Sequence, residues 1–117
     1  MKDFRELVVW QRSHALTLEL YRASKSFPKD ELFGLTSQMR RSASSIPANI
    51  AEGRGRDGDA ELKRFLNIAL GSACEVDYFI LLATELKYLD ASHAAALAAE
   101  ALEIRRMLGT FIQKLKA

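Results

Sequence analysis

The sequence predicts an all-α fold, an antiparallel up-down-up-down bundle of four helices. Alternating stretches of β-branched residues, which would indicate strands, are nearly absent from the 117 residues. Apolar residues instead recur three and four positions apart in four long segments. The links between these segments are short, so consecutive helices should lie side by side and run in opposite directions. A chain of this length fits one domain, residues 1–117, with one core.

The first helix is predicted to run from about Phe4 or Leu7 to Ser26, with Asp3 as its N-terminal cap. It should end at Phe27, because the proline that follows disfavours a helical conformation of the residue before it. The core stripe of this helix comprises Val9, Ser13, Leu16, Leu20, Ala23 and Phe27.

The second helix is predicted to start near Glu31 or Leu35 and to contain a proline, Pro47; Gly53, Gly55 and Gly58 should end it and form a turn. A continuous helix kinked at Pro47 is favoured over a break at Ile46, because the apolar positions keep their phase across the proline. These positions are Met39, Ala43, Ile46 and Ile50. Pro47 leaves the carbonyl of Ala43 without its helical donor, and Ser44 or Ser45 is expected to bond the freed group.

The third helix is predicted from about Asp59 to Leu89, and the fourth follows a cap formed by residues 90–92. The second half of the third helix is apolar over most of its circumference, which is typical of a helix buried on more than one side. A monomeric bundle of four short helices would not bury it so fully, so the chain is expected to form an oligomer.

Composition also bounds the location of the protein. The only cysteine, Cys74, cannot form an intrachain disulfide and is expected to be a small core residue. The first residues lack the apolar stretch of a signal peptide, and no apolar run approaches the roughly 20 residues that span a bilayer. The expected location is the cytoplasm, with no membrane partner.

Positive charge is segregated along the chain. Residues 38–56 carry four arginines against one acid, whereas residues 65–104 carry one lysine against six acids. Such segregation favours a surface that faces a polyanion or a partner. The candidate anion-facing residues are Arg40, Arg41, Arg54, Arg56, Lys63 and Arg64. The alternative is a solvated face with ion pairs to Glu52, Asp57, Asp59 and Glu61.

A second stripe on the second helix is small and polar. Its members are Gln38, Ser42, Ser45, Asn49 and Glu52. A close helix–helix contact is favoured over a solvated face, which usually carries long charged side chains. Glu75 and Ser72 lie on an apolar stripe of the third helix, so Glu75 is either buried with polar partners or solvated at the edge. The candidate assembly residues are Ser45, Asn49, Glu52, Ser72 and Glu75.

Catalytic and cofactor motifs are missing from the sequence. Neither His14 nor His93 has a second histidine or cysteine at metal-ligand spacing. The glycines of residues 53–58 lie between two predicted helices rather than in a strand-to-helix phosphate loop. We therefore expect no enzymatic activity, no metal and no cofactor.

Several segments resemble one known family. They are Leu7-Val-Val-Trp-Gln11, Glu31-Leu-Phe-Gly-Leu35, residues 38–53 with the core Ser45-Ile-Pro-Ala-Asn-Ile-Ala-Glu-Gly53, and residues 65–72 followed by Glu75. The sequence resembles the four-helix-bundle proteins encoded in intervening sequences of bacterial 23S ribosomal RNA genes. The resemblance implies a ring-like homopentamer without enzymatic activity. The sequence is also similar to the accessory protein of diversity-generating retroelements, which associates with nucleic acid and a reverse transcriptase.

The leading hypothesis is a non-enzymatic homo-oligomer, a pentamer by resemblance, that binds RNA or DNA through its basic surface. The alternative is a scaffold that binds another protein, such as a reverse transcriptase, without direct contact to nucleic acid.

Overall fold

The computed structural model describes residues 3–115, and four α-helices account for most of them. Three short 3-10 turns lie in the first 31 residues, at Phe4–Glu6, Ser24–Ser26 and Lys29–Glu31. The part of the chain that is described contains no strand, so the predicted all-α, four-helix class is confirmed. The helices are α1 (Val8–Ala23), α2 (Leu35–Arg54), α3 (Gly58–Glu85) and α4 (Ala91–Lys114).

Hydrogen bonds join α1 to α2 with opposite residue order. The Thr17 hydroxyl lies in the middle of α1 and donates to the carbonyl of Ala43, over 3.0 Å. Nearer the start of α2, the Arg40 guanidinium donates to the carbonyl of Tyr21, over 3.2 Å. Later residues of α1 therefore meet earlier residues of α2, as they do in antiparallel neighbours.

The α2–α3 contact is the most extensive of the bundle, and it follows the same order. The Ser72 hydroxyl donates to the hydroxyl of Ser45 over 2.8 Å. Towards the end of α2, Gly53 packs against Phe65, and a Cβ atom added to the glycine would lie only 2.8 Å from the Cβ of Phe65. Because Gly53 has no side chain, the two helices can approach this closely near their connecting turn.

Two ion pairs attach α4 to the other helices. Arg105 contacts Asp77 of α3 at 2.9 Å. Arg12 of α1 holds Glu100 with two hydrogen bonds, of 2.9 Å from Nε and 2.6 Å from Nη2. This bidentate geometry is the strongest that arginine offers a carboxylate.

The core is built from the predicted apolar stripes of all four helices. In α2 the four stripe residues on both sides of Pro47 are fully buried, and the helix is continuous from Leu35 to Arg54. The break at Ile46 is therefore not observed, while the kink at Pro47 stays a prediction. The fully buried stripe residues of α2 are Met39, Ala43, Ile46 and Ile50.

The carbonyl that Pro47 deprives of a donor is satisfied from outside its own helix. The Ala43 carbonyl accepts from Thr17 of α1. Ser44 bonds the carbonyl of Arg41 instead, and Ser45 bonds Asn49 and Ser72, so the expected rescue by either serine is wrong.

Two predicted helix boundaries are corrected. Asp3 caps the short turn at residues 4–6 by accepting from the amide of Arg5, so it does not cap α1 itself. Helix α3 ends at Glu85 rather than at Leu89, because Lys87 adopts the left-handed conformation that terminates helices. The predicted cap of α4 is present: the Asp90 carboxylate accepts from the amide of His93 over 2.9 Å.

Helix α3 is strongly apolar, although much of its most apolar stretch is not buried within the chain. By length and composition it is the one described helix that could cross a bilayer, although the core helix of a soluble bundle passes the same test. The expectation that no apolar run approaches the roughly 20 residues of a bilayer span is therefore wrong for this helix. Only 39% of its most apolar window is buried within the chain. The large apolar residues of α3 that remain exposed are Ile68, Tyr78 and Leu81.

Cys74 lies on this exposed side of α3 rather than in the core. The neighbouring residue, Ala73, takes the core position and is fully buried. Because successive helix positions are rotated by about 100°, the side chain of Cys74 points away from the core. The prediction of a core cysteine is wrong for the single subunit.

Candidate nucleic-acid and assembly surfaces

Four of the six candidate basic residues lie around the turn between α2 and α3, and an aromatic ring sits among them. The guanidinium carbons of Arg56 and Arg64 lie 5.2 Å and 4.4 Å from the centre of the Phe65 ring. Stacking of this kind holds an arginine in place while its edge stays available for hydrogen bonds. The four residues at this turn are Arg54, Arg56, Lys63 and Arg64.

Carboxylates neutralise part of this turn. Arg56 pairs with Glu52 at 3.0 Å, and Arg64 pairs with Glu61 at 3.0 Å. The hydrogen bond from Arg64 lowers the pKa of the Glu61 carboxyl below its ordinary value. These two pairs are those of the alternative interpretation, so a phosphate that binds here must compete with carboxylates.

Arg54 differs from its neighbours at the same turn. Its side chain is half-buried, and its Nε atom is buried without a hydrogen-bond acceptor among residues 3–115. A buried donor without an acceptor is costly, and the rest of the guanidinium makes no hydrogen bond or ion pair within residues 3–115.

Arg40 and Arg41 are adjacent in sequence but lie in different environments. Arg40 turns towards α1, where its Nε donates to the hydroxyl of Ser24 over 2.8 Å and its guanidinium covers the ring of Tyr21. Arg41 is exposed, and its guanidinium makes no hydrogen bond or ion pair within the described part of the chain. Arg40 therefore joins α1 to α2, whereas Arg41 is available to a ligand.

The six basic residues thus do not form one continuous patch in a single chain. Arg41 and Arg54 are thirteen positions apart on α2, which corresponds to about 20 Å along a helix axis. A nucleic acid would have to contact the turn and the outer face of α2 separately.

The polar stripe of α2 packs against α3 in its middle and is solvated at its ends. Ser42 is buried, and Ser45 accepts hydrogen bonds from Ser72 at 2.8 Å and from the Asn49 amide at 2.9 Å. Gln38 and Glu52, at the two ends of the stripe, are exposed. The five candidate assembly residues therefore include both an α2–α3 hydrogen-bond network and two solvated acids, Glu52 and Glu75.

A polar groove of about 530 Å³ lies between α2 and α3 above this network. Its floor includes Ser45 and Ser72, and Arg41 and Glu75 stand along it. Glu75 is exposed, and it makes no ion pair or hydrogen bond among the described residues. In the single subunit Glu75 is therefore solvated, which was one of its two predicted environments.

Phe33 also lines this groove, and sequence reasoning did not single it out. It is 92% exposed, the highest value among the large apolar residues of the described chain. It lies in the turn just before α2, out of phase with the apolar stripe that starts at Leu35. That mismatch was the available signal that Phe33 is not a core residue.

A second, apolar groove of about 610 Å³ lies between α3 and α4. Tyr78 and Leu81 line it with exposures of 55% and 53%, and Cys74 lies on the same side of α3. The α4 side is alanine-rich and lets another helix approach closely; its residues are Ala91, Ala94, Ala95 and Ala98. No three His, Cys, Asp or Glu side chains within residues 3–115 are placed to hold a metal ion.

Comparison with known proteins identifies the family. A family model described as 23S rRNA-intervening sequence protein matches residues 5–110. The chain belongs to this family. The resemblance carried by the segment from Ser45 to Gly53 is thereby confirmed.

A solved structure supports the same assignment. A protein of unknown function from the S23 ribosomal protein family of Bacteroides thetaiotaomicron superimposes with a TM-score of 0.84 at 27% identity. The match covers 92% of this chain and 96% of that protein. No curated protein matches this chain in sequence. No reaction is named for the family or for the Bacteroides protein.

In this intervening-sequence protein, the segment 45–53 lies on the α2 side of the most extensive helix contact. Ser45 and Asn49 build the hydrogen-bond network with α3, and Gly53 allows Phe65 to approach. Pro47 lies in the same segment and directs the carbonyl of Ala43 to Thr17. The most distinctive part of the sequence therefore contributes to packing within the bundle.

Proposed function

We propose that this intervening-sequence protein is a non-enzymatic homo-oligomer, a ring-like pentamer by family resemblance, that binds RNA through arginines on α2 and on the α2–α3 turn. The observation that carries the proposal is the separation of two surfaces. An apolar groove lies between α3 and α4, whereas the candidate basic residues lie on α2, the α2–α3 turn and the start of α3.

Self-association is supported by the exposed area of α3. Tyr78 and Leu81 border an apolar groove, and Ile68 of the same helix and Leu86 just after it are also exposed. A groove bordered by exposed apolar side chains is typical of a contact surface. A second copy would cover it with surface of the same composition, and cyclic assembly would repeat the arginines around one axis.

Nucleic-acid binding is supported by two arginines that have hydrogen-bond donors without acceptors in the described chain. Arg41 has no partner within the described chain, and Arg54 carries a buried donor without an acceptor. Arginine binds phosphate through its planar fork of donors. The family description places such proteins in the context of ribosomal RNA genes, which favours RNA over DNA as the first ligand to test.

Assembly is tested by light scattering on the purified chain. Leu81→Glu places a charge in the apolar groove and should convert the oligomer to smaller species. Leu18→Glu is the matched control, because Leu18 is an exposed leucine of α1, outside that groove. A wild-type chain that scatters as a single subunit, or a Leu81→Glu variant that assembles like the wild type, would contradict the assembly proposal.

RNA binding is tested by measuring affinity across a salt series. Phosphate contacts release counterions, so the logarithm of the affinity should fall linearly with the logarithm of the salt concentration. Arg41→Ala and Arg54→Ala should each weaken binding and reduce that slope by about one. Arg22→Ala is the control, because Arg22 is an exposed arginine of α1 that pairs with Glu19 at 2.7 Å.

A protein scaffold remains the second candidate, and the apolar groove between α3 and α4 favours it. The groove would accept an apolar segment of another protein, such as a reverse transcriptase, if it is not occupied by a second copy. Pull-down after nuclease treatment distinguishes the two functions, because a partner retained without nucleic acid supports the scaffold. Loss of every partner on nuclease treatment supports RNA binding.

A further inference from the structure

We propose that the polar groove between α2 and α3 holds one unpaired guanine nucleotide of the bound RNA. This inference rests on the proposed RNA-binding function and names the base and the residues that would recognise it. Three side chains carry it: Phe33, Arg41 and Glu75, all of which line the groove.

Phe33 provides a stacking surface at the groove. Its side chain is 92% exposed although it lies next to a well-packed core. It is held in the short turn before α2, whose Gly34 amide donates to the carbonyl of Glu31 over 2.9 Å. Unpaired bases stack on aromatic rings presented in this way, and each such contact stabilises single-stranded RNA binding substantially.

Arg41 and Glu75 carry opposite charges along the same groove but do not form an ion pair. Neither side chain has a hydrogen-bond partner within the described chain. A ligand that satisfies both must present an anionic group to the guanidinium and donor groups to the carboxylate. A nucleotide meets both requirements, with its phosphate at Arg41 and the edge of its base at Glu75.

The carboxylate of Glu75 selects the base. Guanine is the one common RNA base whose Watson–Crick edge carries two adjacent donors, N1–H and the N2 amino group. A carboxylate offers two acceptor oxygens and can accept both at once. Adenine and cytosine present one donor beside an acceptor, and uracil presents one donor between two acceptors, so each would place an acceptor against the carboxylate.

The polar groups on the floor of the groove already have hydrogen-bond partners within the protein. The hydroxyls of Ser45 and Ser72 are already bonded to each other over 2.8 Å, and the Asn49 amide bonds the carbonyl of Ser45 as well as its hydroxyl. The volume of about 530 Å³ lies within the range of small-molecule sites. The groove can therefore take a base at its polar walls without disturbing the α2–α3 contact.

The test compares short labelled RNAs by fluorescence anisotropy, with the full chain at low salt. One RNA of about twelve nucleotides, which spans a typical single-strand site, contains uridines only, and a second has a central guanosine. The guanosine should raise the affinity about tenfold. A central inosine, which lacks the N2 amino group, should lose most of that gain.

Two variants connect the gain to the groove. Phe33→Ala and Glu75→Gln should bind both RNAs with the affinity of the all-uridine RNA. Leu32→Ala and Glu85→Gln are the matched controls: Leu32 precedes Phe33 in the same turn, and Glu85 is an exposed acid of α3 outside the groove. Both controls should keep the guanosine preference.

Any of three other outcomes would overturn the inference. Equal binding of the two RNAs by the wild type, or a guanosine preference that survives Glu75→Gln, removes the guanine site and leaves RNA binding intact. A smaller number of subunits in the Phe33→Ala or Glu75→Gln variant, measured by light scattering, assigns the groove to the contact between copies. Absence of binding to either RNA contradicts the proposed function as well.

Discussion

The hydroxyl oxygen of Thr17 lies 3.0 Å from the carbonyl oxygen of Ala43, the group whose helical donor is missing because residue 47 is proline. Both residues are buried, so this carbonyl has no access to solvent. The same hydroxyl is 2.8 Å from the carbonyl of Ser13, within its own helix, so its single proton is shared between the two carbonyls. Helix α2 thus continues through a proline because the adjacent helix supplies the hydrogen bond.

Thr17→Val should lower the free energy of unfolding by about 1–3 kcal/mol, the range for leaving a buried polar group unsatisfied. Valine preserves the shape of threonine, so the loss reports the hydroxyl rather than a cavity. The same substitution should cost less in a Pro47→Ala background, since residue 47 then has an N–H that can return to Ala43. Urea unfolding of the four proteins of this cycle measures the coupling.

Equal costs of Thr17→Val in the two backgrounds would contradict this account. They would mean that Ala43 does not depend on Thr17 when Pro47 is present. A coupling of about 1 kcal/mol, the net value of one hydrogen bond, is the expected result.

Gly53→Ala should destabilise the chain, although alanine is the better helix former by about 1 kcal/mol. The added Cβ would lie 2.8 Å from the Cβ of Phe65 and 3.2 Å from Leu62. The Cβ of Phe65 is fixed to the backbone of α3, so the helices must separate, at a typical cost of roughly 1–3 kcal/mol for overpacking. Gly71→Ala is the matched control, because nothing lies within 4 Å of the added atom.

The control variant Gly71→Ala should raise the free energy of unfolding by about 0.5–1 kcal/mol, the intrinsic preference for alanine. Urea unfolding at matched subunit number measures both variants. An increase in both would show that the α2–α3 contact can relax without cost.

The helix pattern could be predicted from sequence wherever one periodic signal was sufficient. Ile46 and Ile50 keep their phase across Pro47, so the continuous core helix could be predicted. The donor to Ala43 could not, because Thr17 is 26 positions away and only tertiary structure brings it close. The early end of α3 was missed because Lys87, not a glycine, adopts the left-handed conformation.

The candidate sites were less predictable than the fold, again because the sequence does not show which residues a side chain contacts in the folded chain. Arg40 and Arg41 are indistinguishable in sequence. Arg40 nevertheless donates a hydrogen bond to Ser24, just after α1, whereas Arg41 has no hydrogen-bond partner within the described chain. Phe33 reads as one more apolar residue until its surroundings are known. Local pattern indicates which residues are polar or apolar, whereas their partners depend on the arrangement of all four helices.

The Arg12–Glu100 pair should couple α1 to α4 more strongly than an ordinary surface pair. Its two hydrogen bonds, of 2.9 Å and 2.6 Å, are bidentate, and the bond to Glu100 raises the pKa of the Arg12 guanidinium. Both side chains remain about one-third exposed, so solvent limits the coupling to about 0.5–1 kcal/mol. A double-mutant cycle with Arg12→Ala and Glu100→Ala measures it.

The matched cycle uses Arg22 and Glu19, an exposed pair at 2.7 Å within α1. It should give about 0.3–0.5 kcal/mol or less, as exposed helix pairs do. Added salt should reduce both couplings. A larger coupling for the exposed pair would show that the bidentate contact does not help to hold α4 against α1.

Tyr88 should make the chain less stable at high pH. Its hydroxyl donates to Oε2 of Glu31 over 3.0 Å, and this bond raises the pKa of the Tyr88 phenol above its ordinary value of 10.0. The unfolded chain therefore releases the Tyr88 proton at lower pH than the folded chain does. The stabilisation is complete below pH 10.0 and is lost as the pH rises through the higher folded value.

Tyr88→Phe should flatten this part of the curve of unfolding free energy against pH, measured with urea. Tyr21→Phe is the matched control, because it removes a phenol that has no hydrogen bond within the described chain. Parallel curves for Tyr88→Phe and the wild type would show that the Glu31 contact does not connect the turn before α2 to the segment after α3 in solution.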